Sequence, residues 1–204
     1  MNNAIASHYD ILIDENNDPV HDPQPLKEYM DKWDGQSFIN KMELNVEKSV
    51  LEIGVGTGRL AVRVAPLCKK FYGIDISPKT IERAKENLSS FENVELICSD
   101  FLEYNFTRQF DVVYSSLTFM HISGKQKAFN LIGKLLAPNG KFVLSIDKNQ
   151  DEFIDIGTSK IKVYPDNPNN IEEYIFNANL KLSEHYETEF AHIFVCEYTP
   201  NIKS

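Results

Sequence analysis

The order of apolar runs between Ser49 and Ile146 constrains the fold of this 204-residue chain more than any other feature. Short, continuously apolar runs alternate there with segments in which apolar residues recur at the spacing of an α-helix. Such runs predict strands buried on both faces, and strands that alternate with helices predict a mostly parallel sheet. We therefore expect an α/β, doubly wound fold with helices on both faces of the sheet. The predicted strands are residues 49–53, 71–74, 94–98, 110–115 and 141–146.

Apolar spacing and capping residues mark the helices between these strands. The first predicted helix is residues 59–68. Ser77 followed by Pro78 predicts the N-terminus of the second helix. Ser123 is the predicted cap of the third helix, which we expect to end at residues 138–140, Pro-Asn-Gly.

The segments on either side of this core have other patterns. Residues 11–25 are acidic and proline-rich, which indicates an irregular lead-in, and apolar spacing predicts one amphipathic helix near residues 26–40 that Gly35 weakens. The expected organisation is a helical lead-in or cover segment at residues 1–44, followed by one domain at residues 45–204. The elements predicted after Asp147 are a short strand at 160–164, a helix at 171–178 and an antiparallel strand pair at 181–189 and 192–198.

A glycine-rich turn joins the first predicted strand to the first predicted helix. Residues 54–58 read Gly-Val-Gly-Thr-Gly. Glycines let the backbone turn tightly and approach a ligand closely, and the helix that follows presents free N–H groups at its N-terminus. Glycine in such a turn also serves packing alone, so the turn by itself is a weak indication of a ligand site.

Two carboxylates follow the second and third predicted strands. Asp75 comes 75 − 54 = 21 residues after Gly54, and a carboxylate about 20 residues after such a turn is placed to bind a ribose diol. Asp100, in the sequence Ser-Asp-Phe, is placed to accept from the exocyclic amine of a purine. The alternatives are a surface acid at a helix start for Asp75 and a turn-capping acid for Asp100.

Together these residues resemble the class I S-adenosylmethionine-dependent methyltransferases, over about residues 45–147. The resemblance implies a seven-stranded sheet whose last strand is antiparallel. It also implies that S-adenosyl-L-methionine is the cofactor, that its methyl group passes by in-line displacement to an acceptor, and that S-adenosyl-L-homocysteine is the product. The cofactor-binding residues that the resemblance implies are Glu52, Gly54, Gly56, Thr57, Gly58, Asp75, Ile76, Asp100, Phe101, Ser115, Ser116 and Leu117.

Two residues are candidates for the catalytic side of such a site. His121 follows the fourth predicted strand and is placed to act as a base where the acceptor must lose a proton. Tyr9 lies in a segment that resembles the flexible cover of related enzymes, in which a tyrosine approaches the cofactor. The alternatives are a histidine at a helix start for His121 and simple packing for Tyr9.

Other functional classes are less well supported by the motifs. A nicotinamide-dependent oxidoreductase is disfavoured, because the turn is Gly-x-Gly-x-Gly rather than Gly-x-Gly-x-x-Gly and because Glu52 would face a pyrophosphate. The sequence contains neither Cys-x-x-Cys nor His-Glu-x-x-His, so no metal site is predicted. A cofactor-binding module of the same fold without transfer activity stays open, because the motif specifies binding only.

Charge and composition bear on the acceptor and the compartment. The net charge of −9 divides into −6 for residues 1–40, +3 for residues 41–150 and −6 for residues 151–204. This distribution favours a small neutral or cationic acceptor over nucleic acid, whose phosphates require a positive surface. The chain has no apolar run long enough for a membrane span, no signal-peptide pattern at its start and three scattered cysteines, which together predict a cytoplasmic protein. The oligomeric state is left open.

Overall fold

Seven strands form one mixed sheet in the structure, a computed structural model that describes residues 2–198. The strands of the chain are β1 Ser49–Ile53, β2 Lys70–Asp75, β3 Val94–Cys98, β4 Phe110–Ser116, β5 Leu136–Asp147, β6 Phe153–Asp155, β7 Lys160–Lys162, β8 Lys181–Glu187 and β9 Ala191–Glu197. The sheet order is β3-β2-β1-β4-β5-β9-β8. β1 to β5 are parallel to one another, whereas β9 is antiparallel to both of its neighbours. The predicted seven-stranded sheet with an antiparallel last strand is confirmed.

Helices cover both faces of this sheet. They are α1 Asn2–Asp14, α2 Gln24–Met30, α3 Gly35–Asn40, α4 Ala61–Val64, α5 Pro78–Asn87, α6 Lys125–Leu135 and α7 Pro168–Asn177. Successive strand residues point to opposite faces, so Leu51 packs in the core with α6 and α7 while Val50 packs in the core with α3, α4 and α5. The doubly wound architecture is therefore confirmed, with one core on each face of the sheet.

The N-terminal predictions were partly wrong. α1 continues through residues 11–14, where an irregular lead-in was expected. The single helix expected near residues 26–40 is two helices, because the Asp34 carboxylate accepts from the Gly35 backbone N–H at 2.6 Å and caps a new helix there. Phe38 of that second helix is fully buried in the core beside β1. The division of the chain at residues 44 and 45 stays a prediction.

Three other boundaries differ from expectation. The predicted helix at residues 59–68 is the short α4 followed by a 3₁₀ turn, Ala65–Leu67, that contains Pro66. Ser123 is not a cap, because α6 begins at Lys125 with Gly124 in the cap position. α6 also ends at Leu135, before the Pro-Asn-Gly sequence, and β5 begins at the next residue.

A second, two-stranded sheet supports the N-terminal helix. β6 and β7 pair antiparallel, and β7 covers part of the strand expected at residues 160–164. α1 packs against both β7 and α5. Among residues 2–198, no helix has both the length and the apolar character that crossing a membrane requires.

Candidate cofactor site

The carboxyl ends of β1, β2 and β4 open into a cavity of about 390 Å³. This is where the strand order reverses, since the chain passes from β3 across β2 and β1 to β4, and such a crevice is the usual ligand position in doubly wound folds. The volume falls within the roughly 300–1,000 Å³ of small-molecule pockets. Predicted site residues that line the cavity are Tyr9, Glu52, Gly54, Gly56, Thr57, Asp75, Ile76, Asp100, Phe101, Ser116, Leu117 and His121.

Two predicted site residues lie outside this lining. Gly58 packs toward α5, where a Cβ added to it would lie 3.3 Å from Leu88 Cδ1. Ser115 is fully buried, and its hydroxyl donates to the Ile53 carbonyl at 2.8 Å. Both residues therefore pack behind the cavity lining, Gly58 against Leu88 and Ser115 against the end of β1.

The first two glycines of the turn have different roles. Gly54 has a φ of +77°, and a Cβ there would lie 2.0 Å from Thr118 Oγ1, so the residue is required by close packing. Gly56 has a φ of +56°, and a Cβ there would meet nothing within 4 Å. The space that a side chain at Gly56 would fill is thus free for a ligand that approaches the backbone.

Asp75 joins the loops that follow β1 and β2. One carboxylate oxygen accepts from the Gly56 backbone N–H and the other from the Ser77 backbone N–H, each at 3.0 Å. Burial raises the pKa of Asp75 above its ordinary value. Each carboxylate oxygen offers two acceptor positions, so the side chain retains capacity for two further donors, such as a pair of ribose hydroxyls.

Glu52 is a buried acid at the floor of the cavity. It is 3% exposed and accepts a hydrogen bond of 2.7 Å from the Tyr114 hydroxyl. Burial raises the pKa of Glu52 to about 8, so the carboxyl group is largely neutral at pH 7 in the free protein. A cationic group placed beside it would favour the carboxylate form.

Asp34 and Arg59 form part of the site that the sequence did not predict. The Asp34 carboxylate accepts from both terminal nitrogens of Arg59, one of them at 3.1 Å, and from the Ser116 hydroxyl at 2.7 Å. Arg59 and Ser116 both line the cavity. Arg59 directly follows the glycine turn, but no sequence pattern links it to an acid 25 residues earlier.

Tyr9 and His121 meet at the cavity wall. The Tyr9 hydroxyl lies 2.6 Å from His121 Nε2, and the two rings are T-shaped with centroids 5.4 Å apart. Burial lowers the pKa of His121 to about 4 and raises that of Tyr9, so both side chains are neutral near pH 7. His121 Nδ1 is buried and has no hydrogen-bond partner in the described part of the chain.

The remaining lining comes from the segments after β3 and β4. Asp100 accepts from the Leu102 backbone N–H at 2.7 Å, beside the ring of Phe101. Leu117 has a φ of +55°, which is uncommon for a residue with a side chain and indicates local backbone strain beside the cavity. Between residues 2 and 198, no cluster of three or more histidine, cysteine or acidic residues has the arrangement of a metal site.

Comparison with known proteins gives one consistent result. Residues 44–192 match the profile of a family described as a methyltransferase domain. An uncharacterized methyltransferase from Anoxybacillus flavithermus is 32% identical over 191 residues, which cover 88% of this chain and 84% of that protein. The N-methyltransferase NodS from Bradyrhizobium japonicum, solved in complex with S-adenosyl-L-homocysteine, superimposes with a TM-score of 0.69 at 19% identity and covers 95% of this chain and 98% of that chain.

A relative with a named acceptor matches over a shorter segment. The malonyl-[acyl-carrier protein] O-methyltransferase 1 of Ilyobacter polytropus is 32% identical over 126 residues, which cover 57% of this chain and 46% of that enzyme. The chain thus spans about half of the length of that relative.

Proposed function

Because the chain belongs to the class I S-adenosylmethionine-dependent methyltransferase family, we propose that it transfers a methyl group from S-adenosyl-L-methionine to a small neutral or cationic acceptor. One observation supports this proposal most directly. The open space above Gly56 lies in the same cavity as the Glu52, Asp75 and Asp100 carboxylates. These groups match the parts of one molecule that has an ammonium, a ribose and an adenine.

The residues fit the cofactor part by part. We propose that Glu52 binds the ammonium group, Asp75 the ribose hydroxyls, and Asp100 with Phe101 the adenine, since all four residues line the cavity. When bound, S-adenosyl-L-methionine supplies an electrophilic methyl group on a sulfonium sulfur. The work left to the protein is to bind, to orient the acceptor in line with the carbon–sulfur bond and to exclude water. The aliphatic side chains that α1 contributes to the lining, Ile5, Leu12 and Ile13, help to exclude water from that side.

The charge of the lining supports the choice of acceptor. The acids Asp75, Asp100 and Glu103 line the cavity, and Arg59, which also lines it, is paired with Asp34. Such a field favours neutral and cationic acceptors over polyanions such as nucleic acid.

We also propose a reducing, cytoplasmic setting, and the three cysteines, all of which are free thiols, are consistent with it.

Binding and product formation test this function. We expect calorimetry to detect S-adenosyl-L-homocysteine binding and to detect no binding of reduced nicotinamide cofactors. Incubation with S-adenosyl-L-methionine and a metabolite library should then yield S-adenosyl-L-homocysteine. Binding without product formation from any acceptor supports a module that lacks transfer activity. Methylation of malonyl-acyl carrier protein, or of tRNA or DNA at physiological salt, would contradict the proposed acceptor class.

An Asp75→Ala variant should bind S-adenosyl-L-homocysteine more weakly by about 1–3 kcal/mol, because hydrogen bonds between the carboxylate and the ribose are lost. Isothermal titration calorimetry measures the change in Kd. Asp111→Ala is the matched control, since the Asp111 carboxylate also accepts from a backbone N–H and a hydroxyl, both of Ser49, at the opposite end of the sheet. An unchanged Kd in Asp75→Ala would remove Asp75 from the ribose role.

We further propose that Tyr9 and His121 contact the acceptor, with His121 as a neutral hydrogen-bonding group. A histidine with a pKa near 4 loses its proton far below pH 7. Titration of His121 should therefore cause no change in the methyl-transfer rate between about pH 6 and 8. A histidine base with an unperturbed pKa would instead make the rate increase through about pH 6.5. The pH–rate profiles of the wild type and of His121→Gln measure this. A wild-type limb near 6.5 that disappears in His121→Gln would assign His121 to general-base catalysis instead.

A further inference from the structure

A buried lysine lies behind the cavity wall, at the start of α6. Lys125 is 9% exposed. Its ammonium nitrogen lies 2.6 Å from Asp166 Oδ1 and donates to the carbonyl oxygens of Phe119, at 2.9 Å, and Tyr164, at 2.8 Å. Three acceptors therefore surround a group that has three N–H donors.

The buried carboxylate of Asp166 depends on Lys125 for electrostatic compensation. The residue is 2% exposed, and neither of its carboxylate oxygens accepts a hydrogen bond of good geometry within residues 2–198. The ion pair with Lys125 is thus its main electrostatic compensation. A buried carboxylate of this kind holds its position only while its cationic partner stays in place.

Lys125 joins two segments that are distant in sequence. One is the 3₁₀ turn Phe119–His121, and the other is the segment before α7 that contains Tyr164 and Asp166. The Tyr164 backbone N–H also donates to the Met120 carbonyl at 2.7 Å. Two carbonyls of the short turn are therefore bound by Lys125 and Tyr164, neither of which lines the cavity.

The turn that is held in this way carries His121. Three residues provide few hydrogen bonds of their own, so the position of such a turn depends on its surroundings. Strain at Leu117, two residues before the turn, adds to this dependence, because strained backbone persists only where neighbouring structure holds it. His121 lines the cavity, and its Nε2 atom lies 2.6 Å from the Tyr9 hydroxyl.

We propose that Lys125 and Asp166 are positioning residues that hold the turn Phe119–His121 so that His121 meets Tyr9 at the cavity wall. The importance of this position for methyl transfer rests on the proposed function. Apolar side chains at the two positions would maintain the packing at least as well as a buried ion pair. They would not bind the carbonyl oxygens of Phe119 and Tyr164, which is the property that a positioning role requires.

The test is the double variant Lys125→Met/Asp166→Leu, which leaves neither charge unpaired. The ¹⁵N resonance of His121 Nε2, measured at pH 7.5 in histidine-labelled protein without ligand, reports the hydrogen bond to Tyr9. At that pH His121 is neutral with or without the Lys125 charge, so a change reflects geometry rather than protonation. We expect the double variant to lose the hydrogen-bonded shift, whereas Lys134→Met, an exposed lysine of the same helix, should keep it.

Kinetic readouts separate positioning from stability. With an acceptor from the library screen, kcat should fall roughly tenfold or more in the double variant, while the Kd for S-adenosyl-L-homocysteine stays within about twofold. A wild-type Nε2 resonance together with a wild-type kcat would overturn the proposal. If the double variant does not fold, the nearly isosteric Asp166→Asn is measured in the same way, and an unchanged resonance there overturns it equally. A wild-type protein that does not bind S-adenosyl-L-homocysteine would contradict the proposed function, whereas the resonance in free protein would still test the positioning role.

Discussion

A Gly56→Val variant is expected to bind S-adenosyl-L-homocysteine roughly a hundredfold more weakly than the wild type, a cost of about 2–3 kcal/mol, while keeping its fold. The side chain would enter the space that is empty within 4 Å of the Gly56 Cβ position, where the ligand is expected to approach the backbone. Calorimetry measures the loss of affinity, and far-UV circular dichroism measures the retained fold. Normal binding would mean that the turn serves packing alone.

Backbone strain needs a control of its own. A valine at a φ of +56° is unfavourable wherever it occurs, and a left-handed conformation costs about 1–2 kcal/mol of unfolding free energy. Gly157 offers a match, because it has a φ of +82°, also meets nothing within 4 Å of its Cβ position and lies exposed between β6 and β7. Gly157→Val should lower the melting temperature about as much as Gly56→Val, with Kd changed less than about twofold.

The affinity for S-adenosyl-L-homocysteine should rise with pH by up to roughly a hundredfold between about pH 6 and 8, and then level off. The free protein holds Glu52 protonated below its pKa of about 8. A bound ammonium group favours the carboxylate, so binding below pH 8 releases a proton and becomes tighter as the pH rises. Isothermal titration calorimetry at several pH values measures how the affinity changes with pH. Repeating it in buffers of different ionisation enthalpy measures the number of protons released on binding.

Glu52→Gln is the control for this effect. Glutamine keeps the size of the side chain and its bond with Tyr114 but does not titrate, so the pH slope should disappear. The unfolding free energy of the ligand-free wild type should fall as the pH rises, whereas the affinity for S-adenosyl-L-homocysteine increases. Between 4.5 and 8 the folded protein holds the Glu52 proton that the unfolded chain releases, so the unfolding free energy falls as the pH rises through this range. A pH-independent Kd in the wild type would place the ammonium group away from Glu52.

Elements defined by local pattern were predictable from the sequence. Residues 49–53 and 94–98 have the bounds that the strands have in the structure. Burial on both faces was correct for residues 49–53, as is typical of a central parallel strand, but wrong for residues 94–98, because β3 lies at the sheet edge and none of its residues is buried. Ser77 and Pro78 begin α5 as predicted, since capping depends on neighbouring residues. The start of α6 was less predictable, because Ser123 and Gly124 are both acceptable caps.

Contacts between distant residues were not predictable in the same way. Tyr9 and His121 were named separately as candidates, but no pattern in one sequence pairs residues 112 positions apart. The hydrogen bond between Tyr114 and Glu52 was not predicted for a related reason. Tyr114 lies within an apolar strand, and the sequence does not show that it pairs with Glu52 on the neighbouring strand. Such pairs follow from strand register and helix placement, which only the folded chain defines.

The N-terminal helix has a consequence for ligand energetics. α1 is attached by polar contacts at its surface, such as those of Asp10 with Ser77 and of His8 with Ser159, while its inner side chains face the cavity. Any occupant that touches Tyr9 or Leu12 therefore adds to the free energy that docks the helix on the domain. By mass action the reverse also holds, and α1 contributes to affinity as a thermodynamically linked part of the site.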